Sequence, residues 1–414
     1  MRYLILGGGA AGIAAARELR SLDQNSEIHL FSEDIGGYSR CMLYQYLSGK
    51  RSEKRLQFTE SDFEQKWKIQ WHRNHRIDSV DTEKKCVISS NGSFLYDRLL
   101  IASGAVPALP KNEGFSEAKN IYGFRNLADA RKLKTICNKN TRVFLMGTGL
   151  VGMDVAYALL QQGVPVIISE RSFRIMKHQT DDYSAKRYQE LFQKAGAVFV
   201  FGKSVDYAQL DEDRNVRKII MSDGEEIPVD LVVAATGIRP NTQFLSDSGI
   251  QLDRGICVDP YMETSVKGIY AAGDVTGLSG IWSCAVRQGR IAARNMAGGR
   301  VIYRKENEIR NSMNFFGLPM ISIGKMPEKE SADVRILVHM DGRNYQKIAQ
   351  KGRRIVAVQI QGDVSHAGIW EYLIQNEIQG DWSDEELVSM NAGLLYGFSE
   401  DSREHRKQCL MAFM

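Results

Sequence analysis

The chain has 414 residues and a net charge of only +4. That length is too great for one ordinary domain and predicts two or three, while the small charge, with bases interleaved among acids, gives no footing for nucleic acid as a partner. No apolar run approaches the ~18 residues that cross a bilayer, and the first residues enter a strand directly, with no room for a signal peptide, so a cytoplasmic protein without a membrane span is expected.

The first predicted element is an apolar strand at residues 3–6, which runs into Gly7-Gly8-Gly9-Ala10-Ala11-Gly12 and an Ala-rich helical stretch. A strand at 28–31 ends at Ser32-Glu33-Asp34. A loop follows, from Tyr38-Ser39-Arg40-Cys41-Met42-Leu43 to Leu47-Ser48-Gly49-Lys50, and then a polar helical stretch and strands at 69–71, 77–80 and 86–89. Asn91-Gly92 predicts a hairpin into a strand at 94–96. Next comes a buried strand that stops at Ala102-Ser103-Gly104.

The plan then repeats. The strand at 143–146 leads into Gly147-Thr148-Gly149-Leu150-Val151-Gly152 and a Leu-rich helix, and the strand at 164–168 ends at Ser169-Glu170. After a turn at Ser222-Asp223-Gly224, an apolar strand stops at Ala235-Thr236-Gly237, as the first half stopped at Ala102-Ser103-Gly104. Residues 255–275 end in Ala271-Ala272-Gly273-Asp274, and a helix at 283–296 stops at Gly298-Gly299. Beyond Arg304, strands at 334–339, 346–350 and 355–361 and an amphipathic helix at 364–378 predict a compact α+β module without a motif of its own.

The two glycine fingerprints carry the chemistry. The first Gly makes the tight turn out of the strand, the second lets backbone approach a pyrophosphate, and the third lets helix and strand pack. The helix N-terminus then offers free N–H groups and the positive end of its dipole. An acid about 20 residues on takes the ribose hydroxyls, and Glu33 and Glu170 stand at that spacing. Two copies with both acids predict two ADP-containing cofactors and electron transfer between them.

The six cysteines, Cys41, Cys86, Cys137, Cys257, Cys284 and Cys409, form no C-x-x-C pair, so no zinc, iron–sulfur or dithiol pattern is visible. His72 and His75 are spaced i, i+3 in a basic stretch and read as solvated surface, not as a metal site.

Taken in order, these motifs resemble the FAD- and NAD(P)-dependent pyridine nucleotide–disulfide oxidoreductase superfamily, strongly over residues 1–300. The resemblance implies an α/β chain with two Rossmann-like, three-layer dinucleotide-binding domains of glutathione-reductase type plus a C-terminal α+β module. The implied domains are an FAD-binding domain from 1–111 and 238–303, an NAD(H)-binding domain at 112–237, and a C-terminal interface domain at 304–414. Gly7, Gly9, Ala10, Ala11 and Gly12 would hold the FAD pyrophosphate, with Glu33 on the adenosine ribose. Gly147, Gly149, Leu150, Val151 and Gly152 would hold NAD(H), with Glu170 on its 2′-hydroxyl and disfavouring a 2′-phosphate. The strand ends Ala102, Ser103, Gly104, Thr236 and Gly237 match the family's pattern, and Gly273-Asp274 matches its second FAD motif, whose Asp binds the ribityl chain. By the same resemblance Gln288-Gly289 would present N–H groups to the flavin pyrimidine. Arg40 and Lys50 are candidates for contact with the flavin or its phosphates, or else solvated loop charges.

The loop from Tyr38 to Lys50, and Asn314-Phe315-Phe316-Gly317-Leu318-Pro319, look like NADH:rubredoxin reductases and the flavin part of nitrite reductase large subunits. Cys41 departs from those relatives, which usually carry Pro. It reads either as a catalytic thiol of a disulfide reductase or NADH oxidase/peroxidase, or as a small apolar filler. Ala10 stands where the peroxidases carry His, and the C-terminal module lacks the tyrosine pattern of coenzyme A-disulfide reductases. The leading expectation is therefore an enzyme that passes hydride from NADH to FAD and electrons on to a rubredoxin, ferredoxin or other iron–sulfur protein, as a homo-oligomer or within a complex; the alternatives are the Cys41 thiol enzyme and a flavin electron-transfer subunit of a larger iron–sulfur oxidoreductase complex.

Overall fold

A computed structural model describes residues 1–304 and 310–390; Cys409 and the rest of the expected C-terminal domain lie outside the described residues. Two compact units divide the chain, Met1–Met176 with Phe192–Lys305 and Lys177–Leu191 with Glu306–Met414.

The first unit contains two parallel five-stranded sheets. One has the order Ile269–Ala271, Arg98–Ile101, Arg2–Leu6, Glu27–Phe31, Gln70–His72. Alternate side chains leave a strand on opposite faces. Tyr3, Ile5, Ile28 and Leu100 accordingly face Ile13, Ala16, Ile291 and Ala292 of the helices Ala10–Leu22 and Trp282–Met296. Leu4, Leu6, Leu99 and Ile101 face Val80 and Val87 of a small antiparallel sheet. The result is three layers, with the sheet buried on both sides as parallel strands require. The expected hairpin is part of that small sheet: Cys86–Ser89 pairs with Gly92–Leu95.

The second sheet repeats the plan in the order Val198–Phe201, Val166–Glu170, Val143–Met146, Leu231–Ala234, Ile121–Tyr122, again all parallel. The helix Leu150–Leu160 packs on one face. On the other face Phe144 and Val232 meet Val216 and Ile219 of an antiparallel sheet.

The second unit is an antiparallel sheet in the order Arg310–Phe315, Leu318–Gly324, Arg354–Gln361, Asn344–Lys351, Val334–Asp341. The helix Ala367–Gln375, shorter than the expected 364–378, lays Trp370, Leu373 and Ile374 on Ile323, Ile348 and Val358. Lys177–Leu191 belongs to this unit, although the sequence reading put it inside 112–237. The attachment is polar and aromatic: Tyr188 donates to Leu318 O at 2.8 Å, Gln359 donates to Gln179 O at 2.9 Å, Arg187 donates to Gln361 Oε1 at 3.0 Å, and Asp181 accepts from Tyr345, while Tyr188 meets Phe315 edge-on with centroids 5.3 Å apart and Tyr183 lies 4.6 Å from Tyr345. Hydrophobic periodicity carries no trace of such bonds.

Candidate functional site

The first fingerprint divides its glycines between packing and access. Gly7 has φ +126°, and a Cβ on it would lie 2.0 Å from Ala102 O, while one on Gly12 would lie 1.9 Å from Gly7 O. A Cβ on Gly9 would meet nothing within 4 Å, so this position opens onto a cleft. Gly9 caps the helix Ala10–Leu22 without any side-chain hydrogen bond, whereas Asn126 and Asp129 form a full capping box on the helix Leu127–Ile136. The first-turn N–H groups of Ala10–Leu22 are thus left for a ligand.

The cleft, of about 390 Å³, is lined by Gly7, Gly9, Ala10, Ala11, Glu33, Arg40, Cys41, Ala102, Ser103, Gly104, Gly273 and Asp274. All of these were expected from the sequence. Glu33 is exposed, 3.7 Å from Arg76. Asp274 is largely buried and ion-paired with Arg125. Arg40 donates to Arg125 O at 3.2 Å and lies 4.0 Å from Asp34. Asp34 accepts from Tyr38, whose burial pushes its hydroxyl up to about 12.

The sequence reading missed Arg125. Its Nε is buried without a hydrogen-bond partner, an orphaned donor in the cleft wall. The one signal for it was its place just before the Asn126-x-x-Asp129 capping box. Arg125, Arg40 and the open helix terminus thus line the same cleft as the carboxylates of Glu33 and Asp274. That arrangement fits FAD, an anionic pyrophosphate flanked by two polyols. Trp282 also lines the cleft, edge-on to Phe58 with centroids 5.0 Å apart.

Three expectations need correction. Gln288 and Gly289 lie inside the helix Trp282–Met296, so their N–H groups belong to the helix. Gln288 is fully buried, accepting from Gly273 N at 2.8 Å and donating to the Tyr303 hydroxyl at 2.9 Å. Gly289 is a helix crossing: a Cβ there would lie 2.2 Å from Ala11 O. Lys50 does not line the cleft; its Nζ donates to the Tyr157 hydroxyl at 2.6 Å and sits 4.8 Å from that ring.

Ser103 and Thr236 act as stitches. Ser103 donates to Asn241 O and Thr236 to Ala108 O, both at 2.8 Å, tying together the paired strands Ala105–Pro107 and Ile238–Pro240. Gly237, beside Thr236, takes φ +132°.

Cys41 sits in the turn Arg40–Met42 at the cleft wall. Desolvation, then the Asp154 and Asp274 carboxyls, push its pKa above the ordinary thiol value against the pull of Arg125. Asp154, on the helix Leu150–Leu160, is itself held well above the usual carboxylate range by desolvation; no motif pointed to it.

The second fingerprint reproduces the first. A Cβ on Gly152 would lie 2.2 Å from Gly147 O, and one on Gly149 would be clear. Gly149 caps the helix that begins at Leu150 without a side-chain bond, and Val151 is exposed beside it. Glu170 ends its strand and accepts from Thr148 N at 3.2 Å, Thr148 Oγ1 at 2.7 Å and Ser172 N at 3.0 Å. Desolvation raises its pKa, but these donors outweigh it and the net shift is downward, so the carboxylate is ionised and fixed.

His72 and His75 are not a solvated surface. His72 stacks on Phe31 at 4.5 Å and shares a 3.1 Å hydrogen bond with His29, while His75 meets Phe31 edge-on and bonds Ser89.

A family model described as pyridine nucleotide-disulphide oxidoreductase matches residues 1–289. The nitrite reductase [NAD(P)H] of Bacillus subtilis is 29% identical over 384 residues, covering 91% of this chain; the chain spans only 47% of that enzyme. The NADH-rubredoxin oxidoreductase of Clostridium acetobutylicum is 29% identical over 377 residues, 88% of this chain and 92% of that one. Among solved structures, the covalent putidaredoxin reductase–putidaredoxin complex superposes with a TM-score of 0.80 at 24% identity, covering 94% of this chain and 98% of that chain; at that identity the likeness concerns the fold.

Proposed function

Because the chain belongs to the pyridine nucleotide-disulphide oxidoreductase family, whose cofactors are FAD and NAD(H), we propose that it oxidises NADH and passes the electrons to a protein acceptor of the rubredoxin, ferredoxin or iron–sulfur type. The observation that carries this reading is the FAD-fitted cleft and the second open fingerprint, with its ionised Glu170, in one compact unit. We assign 1–111 with 238–303 to FAD, 112–237 without Lys177–Leu191 to NAD(H), and the C-terminal residues to an interface.

FAD held in this cleft would supply the chemistry that links a two-electron hydride donor to a one-electron acceptor. The chain's own groups do the rest. The open N–H groups after Gly9, with Arg125 and Arg40, neutralise and orient the pyrophosphate. Glu33 would accept from the adenosine ribose hydroxyls and Asp274 from the ribityl chain. Glu170 accepts from a ribose 2′-hydroxyl and repels a 2′-phosphate. Cys41 is solvent-exposed in the cleft wall, but the chain's own groups do not activate it to attack a disulfide: desolvation and two carboxyls raise its pKa against the pull of Arg125, and the thiolate is the nucleophile.

The test is an anaerobic NADH titration of the flavin, with wild type and Cys41→Ser. Equal titres are expected. An additional electron pair taken up by the wild type alone would replace this reading with a thiol enzyme, and no bleaching by NADH would remove both.

A further inference from the structure

We propose that the surface formed by residues 50–56 and the helix Leu127–Ile136 docks an acidic one-electron carrier protein. The proposal rests on the reading above that the acceptor is a protein. Along the sequence the bases are interleaved with acids, but the fold gathers them. Residues 50–56 carry Lys50, Arg51, Lys54 and Arg55 against Glu53, and the helix carries Arg131, Lys132 and Lys134 against Asp129. The two segments are one surface: Arg131 grips Glu53 with Nε at 2.8 Å and Nη2 at 2.5 Å, and Lys134 donates to Tyr46 O at 3.2 Å, its ammonium 4.2 Å from that ring.

Both carboxylates are spent internally. Glu53 is held by Arg131, and Asp129 accepts from the backbone N–H groups of Arg125 and Asn126. Among the described residues, no carboxylate pairs with Lys54, Arg55 or Lys134, and all three side chains are exposed. A one-signed field of this kind steers an oppositely charged partner and fixes its register.

Its position suits electron exit. The helix is capped by Asn126, which lines the cleft, and Cys41, also in the cleft wall, sits in the turn Arg40–Met42 that precedes the helix Leu43–Leu47 leading to Lys50. From the cleft end of Leu127–Ile136 to Lys134 is about 12 Å at 1.5 Å per residue. Each NADH surrenders two electrons and becomes NAD⁺ with release of one proton, so two carrier molecules, each reduced by one electron, dock in turn.

The experiment compares the holoenzyme with the variant Lys54→Glu/Arg55→Glu/Lys134→Glu, using NADH and either a purified acidic rubredoxin or a small neutral quinone. We expect kcat/KM for rubredoxin to fall at least tenfold in the variant, the quinone rate to stay unchanged, and Lys54→Arg/Arg55→Lys/Lys134→Arg to behave as wild type. Wild-type rubredoxin reduction should also fall steeply with added salt, and that of the reversed variant should not. Equal rubredoxin rates in wild type and reversed variant overturn the docking site and leave the protein-acceptor reading standing. Wild type that reduces quinone but neither reduces nor binds rubredoxin removes both. Charge-dependent binding to anionic phosphatidylserine vesicles, with rubredoxin rates unaffected, reassigns the surface to a membrane and overturns the proposal.

Discussion

The Glu170 carboxylate, at the end of its strand, is held by the N–H and hydroxyl of Thr148 and by the N–H of Ser172. At Glu170 the fixed carboxylate predicts cofactor choice. Glu170→Gln removes the like charge that a 2′-phosphate would meet, and the preference for NADH over NADPH should narrow about tenfold, or ~1.4 kcal/mol. Steady-state kcat/KM for both nucleotides measures it; an unchanged ratio would remove Glu170 from cofactor selection. Glu170 was legible because its spacing from the second fingerprint is set by a strand and a helix of standard length. Lys50 was not, because its partner Tyr157 stands 107 positions away on a different element.

Among elements, the crossing of the helices Ala10–Leu22 and Trp282–Met296 leaves no room at Gly289. In Gly289→Ala the methyl group must displace the Ala11 carbonyl, at a cost of about 1–3 kcal/mol. Because Ala11 lines the cleft, the variant should also lose FAD on gel filtration, and thermal unfolding with flavin fluorescence reads both effects. The family resemblance implies a flavin contact for Gln288-Gly289 within the helix expected at 283–296; packing against a second helix is what the structure gives Gly289.

The paired strands Glu27–Phe31 and Gln70–His72 carry a pH response. Desolvation lowers the pKa of both His29 and His72, and for His72 the neighbouring His29 and His75 lower it further. The folded state therefore favours neutral rings, while the unfolded chain takes up protons at about 6.5. Stability is full above that pH and falls as pH drops towards the lowered folded values, by up to about 1.4 kcal/mol per pH unit for each proton. The melting temperature between pH 7 and pH 5 should fall less in His29→Gln/His72→Gln than in wild type; parallel curves would dismiss the pair as the source.

For the molecule as a whole, the duplicated plan was legible down to the matching Ala-hydroxyl-Gly strand ends, because local spacing encodes a Rossmann unit. The membership of Lys177–Leu191 was not, because it depends on tertiary hydrogen bonds. A fragment starting at residue 310 lacks Asp181, Arg187 and Tyr188 and should give the poorly dispersed amide spectrum of an unfolded chain. The same fragment with residues 177–191 fused ahead of it through a flexible linker should recover dispersion, and a well-folded fragment without them would refute the dependence.

That split membership also sets a timetable. Tyr188 leaves the ribosome 130 residues ahead of the Leu318 carbonyl it bonds. At about 5–20 residues per second the wait is roughly 6–26 s. For that interval Lys177–Leu191 is committed to a sheet that has not yet been synthesised, and the nascent chain carries it unpaired, open to chaperones and proteases alike.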